Sequence, residues 1–108
     1  MSTEAVLLRL SETLAARRNA DPETSYTAKL FSKGPDSILK KIGEESAELI
    51  MASKDSNHLN IVYESADLLY HMMVLLAFHG IDAEEVFKEL QRREGTSGID
   101  EKKSRSAK

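Results

Sequence analysis

Cysteine is absent from this 108-residue chain, which removes disulfides, thiolate nucleophiles and Cys-ligated zinc or iron–sulfur centres together. Tryptophan is absent too, and the five glycines are scattered rather than gathered into a Walker-type loop. Any catalysis is therefore left to carboxylates, His, Lys, Arg, Tyr or a hard cation. No run shows the sustained period-two alternation of Val, Ile and Thr that a strand needs. Nor does any stretch approach the roughly 20 apolar residues of a membrane span, and a start containing Glu4 and Glu12 does not read as a secretory leader. The expectation is a soluble, cytoplasmic protein with no membrane partner. The length allows one domain or one subunit of an oligomer, and excludes an enzyme with separate cofactor and substrate modules.

What is present suffices for a folded core: 41% of residues are hydrophobic and 31% charged. The net charge of -3 hides an asymmetry. Between Glu44 and Glu85 stand nine carboxylates and one base, Lys54, so that segment carries -8 and the remainder +5. An acidic middle attracts cations ahead of phosphate, and no nucleic-acid partner is expected.

Apolar periodicity predicts helices at about Thr3 to Arg18, Ser37 to Lys54, Leu59 to Phe78 and Ala83 to Arg93. Both prolines, Pro22 and Pro35, fall in the segment 19–36, within which Ser25 to Phe31 suits a short turn or helix. One reversal is specified by four residues. Gly80 suits the left-handed position that closes a helix, Asp82 an N-cap, Glu85 the third helical position of a capping box, and Ile81 a hydrophobic staple to Val86. Asp55 to Asn60 is the other short connection, making the two long helices an antiparallel pair. The last stretch, 95–108, is basic and has few apolar anchors, so by itself it is expected to be mobile.

Two acidic patterns carry the chemistry. In the second helix Ile38, Ile42 and Leu49 define an apolar stripe; Glu45 falls within about 40° of its centre, Glu48 lies on its flank, and Glu44 turns away. The third helix is apolar nearly all round, yet Glu64, Asp67 and His71 form one polar stripe on it. A carboxylate on a packing face must be partnered, neutralised or bound to metal. Pairing of the two helices brings Glu45 and Glu48 toward Glu64 and Asp67, and oxygen-only ligation without Cys suits Mg²⁺ or Mn²⁺. We therefore expect a Mg²⁺ site on Glu45, Glu48, Glu64 and Asp67, with Glu44 as the outer or water-activating group. Magnesium polarises phosphoryl oxygens and orients water, which fits release of pyrophosphate. Phosphate contacts fall to Lys40, Lys41, Arg92, Arg93, Lys102, Lys103 and Arg105. His71 equally suits a core histidine donating to Asp67 one turn away.

The run Lys41 to Glu48, KIGEESAE, followed by Glu64-Ser-Ala-Asp67 and Leu68-Leu-Tyr-His71, closely resembles the phosphoribosyl-ATP pyrophosphohydrolases. These are histidine-biosynthesis members of the all-alpha nucleotide pyrophosphohydrolase superfamily to which the MazG proteins belong. Ser25-Tyr-Thr, Leu30-Phe, Gly80, Arg92-Arg93 and the ending from Ser97 to Arg105 extend the likeness along nearly the whole chain. The resemblance implies an all-α bundle of four to five helices, assembled as a homodimer, over residues 1–94, with 95–108 a basic tail. It implies Mg²⁺-dependent hydrolysis of 1-(5-phosphoribosyl)-ATP to 1-(5-phosphoribosyl)-AMP and pyrophosphate. Glu44, Glu45, Glu48, Glu64 and Asp67 are then catalytic, the last four as metal ligands. Ser25, Tyr26, Lys41, His71, Arg92, Arg93, Lys102 and Arg105 face the substrate, and Tyr70 lies near it. The closest rival is a MazG-like enzyme that cleaves free nucleoside triphosphates with the same ligands. A di-iron bundle lacks its Glu-x-x-His pairs, and a helical adaptor leaves the acids on the packing face unexplained.

Overall fold

The computed structural model describes residues 3–106, apart from the side chains of Glu4 and Ser106. Six α-helices follow a short 3-10 turn, Thr3–Ala5, and no strand occurs among the described residues. They are α1 (Val6–Arg17), α2 (Tyr26–Lys33), α3 (Pro35–Lys54), α4 (His58–Phe78), α5 (Ala83–Arg93) and α6 (Gly98–Ser106). The architecture is all-α, as the periodicity predicts.

Local chemistry explains the boundaries. Ser25 caps α2 by accepting from the Ala28 amide at 3.2 Å, which turns the ambiguous Ser25 to Phe31 segment into a helix. Gly34, at φ 88°, breaks the chain direction between α2 and α3, and Pro35 opens α3 where its missing N–H is not needed. At the far end of α4 the Ile81 amide bonds to the Leu76 carbonyl and the Gly80 amide to that of Ala77, with Gly80 at φ 70°. The Asp82–Glu85 capping box then starts α5, with both of its reciprocal bonds formed.

The core lies where α1, α2 and α3 close on the C-terminal half of α4. Leu14, Leu30, Ile38, Met73, Val74 and Ala77 are buried there with Ala83. α3 and α4 form an antiparallel hairpin that is the main packing unit of the chain. The N-terminal half of α4 is open. Leu59, Val62, Tyr63 and Leu69 are 47–58% exposed, although residues 59, 63 and 66 prolong the stripe that buries Met73 and Ala77 further along.

Two expectations are corrected. By length and composition α4 does reach a membrane span, with 21 residues and a mean hydropathy of 1.4. Its polar stripe is nonetheless packed on α3, with His71 only 6% exposed. Within the stretch 95–108 that was expected to be a loose tail, residues 98–106 are helical, while 107 and 108 lie outside the described residues. Ser97 accepts from the Asp100 amide at 3.1 Å, Asp100 and Glu101 occupy the first turn, and Lys103 and Arg105 the last, so caps and dipole agree. The pair Ser97 and Asp100 is a capping signal that could have located this helix in the sequence.

Candidate active site

The hairpin turns the acidic stripes of α3 and α4 toward one another. Glu45 is 8% exposed at the centre of the α3 face, as its helical angle requires. Glu64 is half-buried opposite, while Glu48 and Asp67 lie at the exposed margin. The Glu64 carboxyl group is held above the usual carboxylate range. Glu48 stands close enough to share a proton with it, and burial adds to this, as do the like charges of Glu48, Asp67 and Glu45. One stripe thus senses the other. The convergence falls short of a closed cage: among the described residues, no three Asp, Glu or His side chains form a group placed to hold an ion. The expected four-carboxylate cluster is a facing set with two solvated members rather than an assembled one.

Two buried oxygens in this set have no hydrogen-bond partner, Glu45 Oε1 and Glu64 Oε2. Such atoms are rare and costly in a packed interior. The first is nonetheless in close contact with His71. Its Nδ1 lies 2.6 Å from Glu45 Oε1, but its N–H is directed to the Asp67 carbonyl at 3.0 Å. The partner expected for His71 was the Asp67 carboxylate; the structure substitutes the Asp67 backbone and the Glu45 carboxylate, because α3 crosses α4 at that level. A backbone carbonyl only accepts, so Nδ1 carries a proton, and Nε2 is hydrogen-bonded with the Tyr26 hydroxyl at 2.9 Å. Burial raises the Tyr26 phenol, with Lys41 opposing and Glu45 reinforcing the shift, so the hydroxyl remains a donor. Tyr70 stacks edge-on against His71 and its hydroxyl bonds the Thr27 side chain, tying α4 to α2. The chain Tyr26–His71–Glu45 therefore fixes a buried carboxylate from α2 through α4.

Cavities flank the acids on both sides. One of about 320 Å³ lies at the turn end, among Glu48, Asp55, Asn57, Asn60 and Glu64. The other, of about 360 Å³, opens between α2 and α3 and is lined by Tyr26, Lys29, Lys33, Lys40, Lys41 and Glu44 with Leu30 and Ser37. Lys41 and Tyr26 were expected at the site, whereas Lys29 and Lys33 were not singled out. Their signal was spacing, two lysines one turn apart on a helix that Ser25 caps. Ser25 itself serves that cap. Glu44 is exposed, as predicted, on the cavity's edge.

The arginines expected near substrate are gathered elsewhere. Arg92 Nη2 is 2.5 Å from Glu101 Oε1, and Arg105 and Arg93 approach the same oxygen through Nε at 3.4 and 3.9 Å. Arg92 also binds Glu89 at 2.8 Å. Glu101 is 4% exposed. The Arg92 guanidinium holds its carboxyl below the usual range, and Arg92 is in turn stabilised in its charged form. This knot pins α6 to α5, all of its ion pairs joining residues of those two helices. Lys102 is exposed on α6.

An all-α chain with facing carboxylates on one hairpin, a histidine relay behind them and lysines beside them defines a protein of acid-rich, phosphate-directed chemistry. The chain belongs to the phosphoribosyl-ATP pyrophosphohydrolase family, whose profile matches residues 7–94. A phosphoribosyl-ATP pyrophosphatase of Dechloromonas aromatica is 70% identical over 108 residues, covering 100% of both chains. One from Chromobacterium violaceum is 57% identical over 103 residues, 95% of each. A histidine biosynthesis bifunctional protein of Wolinella succinogenes is 61% identical over 100 residues, 93% of this chain and 44% of that protein.

Proposed function

We propose that the chain hydrolyses 1-(5-phosphoribosyl)-ATP to 1-(5-phosphoribosyl)-AMP and pyrophosphate, the second step of histidine biosynthesis, using Mg²⁺ at the facing acids of α3 and α4. Family membership supports the reaction. The single observation that supports the site is the facing of Glu45 and Glu48 on α3 with Glu64 on α4, close enough that the acidic neighbours raise the Glu64 carboxyl, whose Oε2 is buried without a hydrogen-bond partner. Hard, anionic oxygen donors without sulfur fit magnesium, with Glu48 and Asp67 completing the set. Bound there, the ion supplies polarisation of a phosphoryl oxygen and neutralisation of developing charge.

The remaining work falls to the chain's own groups. Tyr26 and His71 hold Glu45 in orientation through the contact of His71 Nδ1 with Glu45 Oε1. Glu44, exposed beside Glu45, is in this reading the group that takes a proton from the attacking water. Residues 1–94 form the catalytic unit in this reading, with 95–108 a basic appendage that includes α6.

The active form is a homodimer in a cytoplasmic setting. The radius of gyration is 16.1 Å, against about 13 Å for a compact domain of this length, and the open stripe of α4 supplies the surface that a second copy would cover. The test is pyrophosphate release from phosphoribosyl-ATP, ATP and dCTP, with and without Mg²⁺, by the wild type and Asp67→Asn. Mg²⁺-dependent preference for phosphoribosyl-ATP, lost in the variant, is expected. Preference for a free triphosphate would overturn the substrate, and full activity of Asp67→Asn would overturn the site.

A further inference from the structure

Four lysines converge on the cavity between α2 and α3: Lys29 and Lys33 one turn apart on α2, Lys40 and Lys41 on α3. Glu44 is the one carboxylate in the lining. Among the described residues none of the four ammonium groups has a carboxylate within 4.0 Å. Like charges one turn apart weaken a helix rather than support it. The arginines of α5 and α6, by contrast, are neutralised by Glu89 and Glu101. A set of unneutralised lysines around a cavity is arranged for an anion.

The place of this cavity says which anion. Tyr26 and Glu44 line it, and both belong to the edge of the acidic site: Tyr26 reaches Glu45 through His71, and Lys41 precedes Glu45 by one turn. A ligand with its anhydride phosphates between the acidic stripes therefore extends its other end here. The anhydride phosphates have a cation to balance them in the reading above. A phosphate monoester at the other end has none, and needs ammonium donors instead. The volume of about 360 Å³ exceeds that of a lone phosphate group and admits a sugar phosphate.

We infer that this cavity receives the phosphate ester of the substrate's phosphoribosyl arm, and that Lys29 and Lys33 are specificity-determining residues that separate phosphoribosyl-ATP from free ATP. The inference rests on phosphoribosyl-ATP being the substrate. Its chemistry, a phosphate monoester on a ribose, is one that ATP does not carry.

The full-length enzyme is compared with Lys29→Ala/Lys33→Ala and with Lys29→Arg/Lys33→Arg. Both lysines are exposed, so circular dichroism should show all three proteins folded. The alanine pair should raise KM for phosphoribosyl-ATP about tenfold or more, the scale of lost hydrogen bonds to a charged group, with kcat within about threefold. The arginine pair should restore most of the loss. Calorimetric titration with ribose 5-phosphate, which needs no turnover, should show binding to the wild type weakened about tenfold by the alanines, while pyrophosphate binding with Mg²⁺ changes by less than about threefold. Equal weakening of both probes would assign the cavity to the polyphosphate and overturn the inference. So would an unchanged KM, or wild-type protein that does not bind ribose 5-phosphate. If ribose 5-phosphate binds through the two lysines but phosphoribosyl-ATP is not cleaved, the functional reading fails while the cavity stands.

Discussion

Leu69→Glu should convert the proposed dimer to a monomer. Leu59, Val62, Tyr63, Leu69 and Met72 of α4 are 58, 51, 58, 47 and 45% exposed, which leaves about 450 Å² of largely apolar side chain open on one protomer, or about 11 kcal/mol if covered. Two such faces supply about 20 kcal/mol gross, enough to exceed the roughly 4–15 kcal/mol that association costs. Leu69 alone accounts for about 2.4 kcal/mol, and two-fold symmetry doubles the loss to about 5 kcal/mol before the burial of two carboxylates is added. At 1.4 kcal/mol per decade, the dissociation constant should rise at least a thousandfold. Leu69 lies about 140° around α4 from Glu64, so the perturbation leaves the acidic stripe in place. Sedimentation or light scattering at micromolar concentration is the assay, with circular dichroism to show retained helicity. A wild type that is monomeric there, or a Leu69→Glu protein with unchanged dissociation, would refute the reasoning.

Three other outcomes follow from particular groups. Glu64→Gln removes the carboxyl that the close approach of Glu48, burial and the like charges of Glu48, Asp67 and Glu45 hold above its usual range; its metal-free melting temperature should be at least that of the wild type, while the rise on adding millimolar Mg²⁺ should shrink. A wild-type protein that shows no thermal response to Mg²⁺ would remove the metal site from the reading. Ile38 is 0% exposed in the core, so Ile38→Ala should cost about 3 kcal/mol in urea unfolding, and a loss below about 1 kcal/mol would mean that the α3 packing is misjudged. Glu101 has its folded pKa below the ordinary 4.5, so its stabilising contribution is present above that pH and lost as pH falls through the folded value. The melting-temperature gap between wild type and Glu101→Gln should therefore be largest near neutrality and shrink on acidification below the ordinary 4.5; a gap independent of pH would show that the knot with Arg92, Arg93 and Arg105 contributes little.

Much of this molecule is readable locally. Gly80, Asp82 and Glu85 specify one reversal because capping is a matter of four neighbouring residues, and the structure forms each of those bonds. Glu45 could be placed on the inner face of α3 because helical angle follows directly from spacing. Other features were hidden. The fate of Arg92, Arg93 and Arg105 depended on Glu101 being carried back against α5 by a helix that composition alone disguised as a loose end. Lys29 and Lys33 belong to no motif, and only the packing of α2 beside α3 brings them to one cavity with Lys40 and Lys41.

By itself the sequence determined the helical periodicity, the caps, the two acidic stripes and the family likeness, since each depends on residues within a few positions of one another or on a run of letters. Only the tertiary structure decided that His71 meets both the Asp67 backbone and the Glu45 carboxylate, that the arginines neutralise a glutamate, and that four lysines share a cavity. Those facts depend on the angle and register at which one helix crosses another, and periodicity along a single helix carries no information about either.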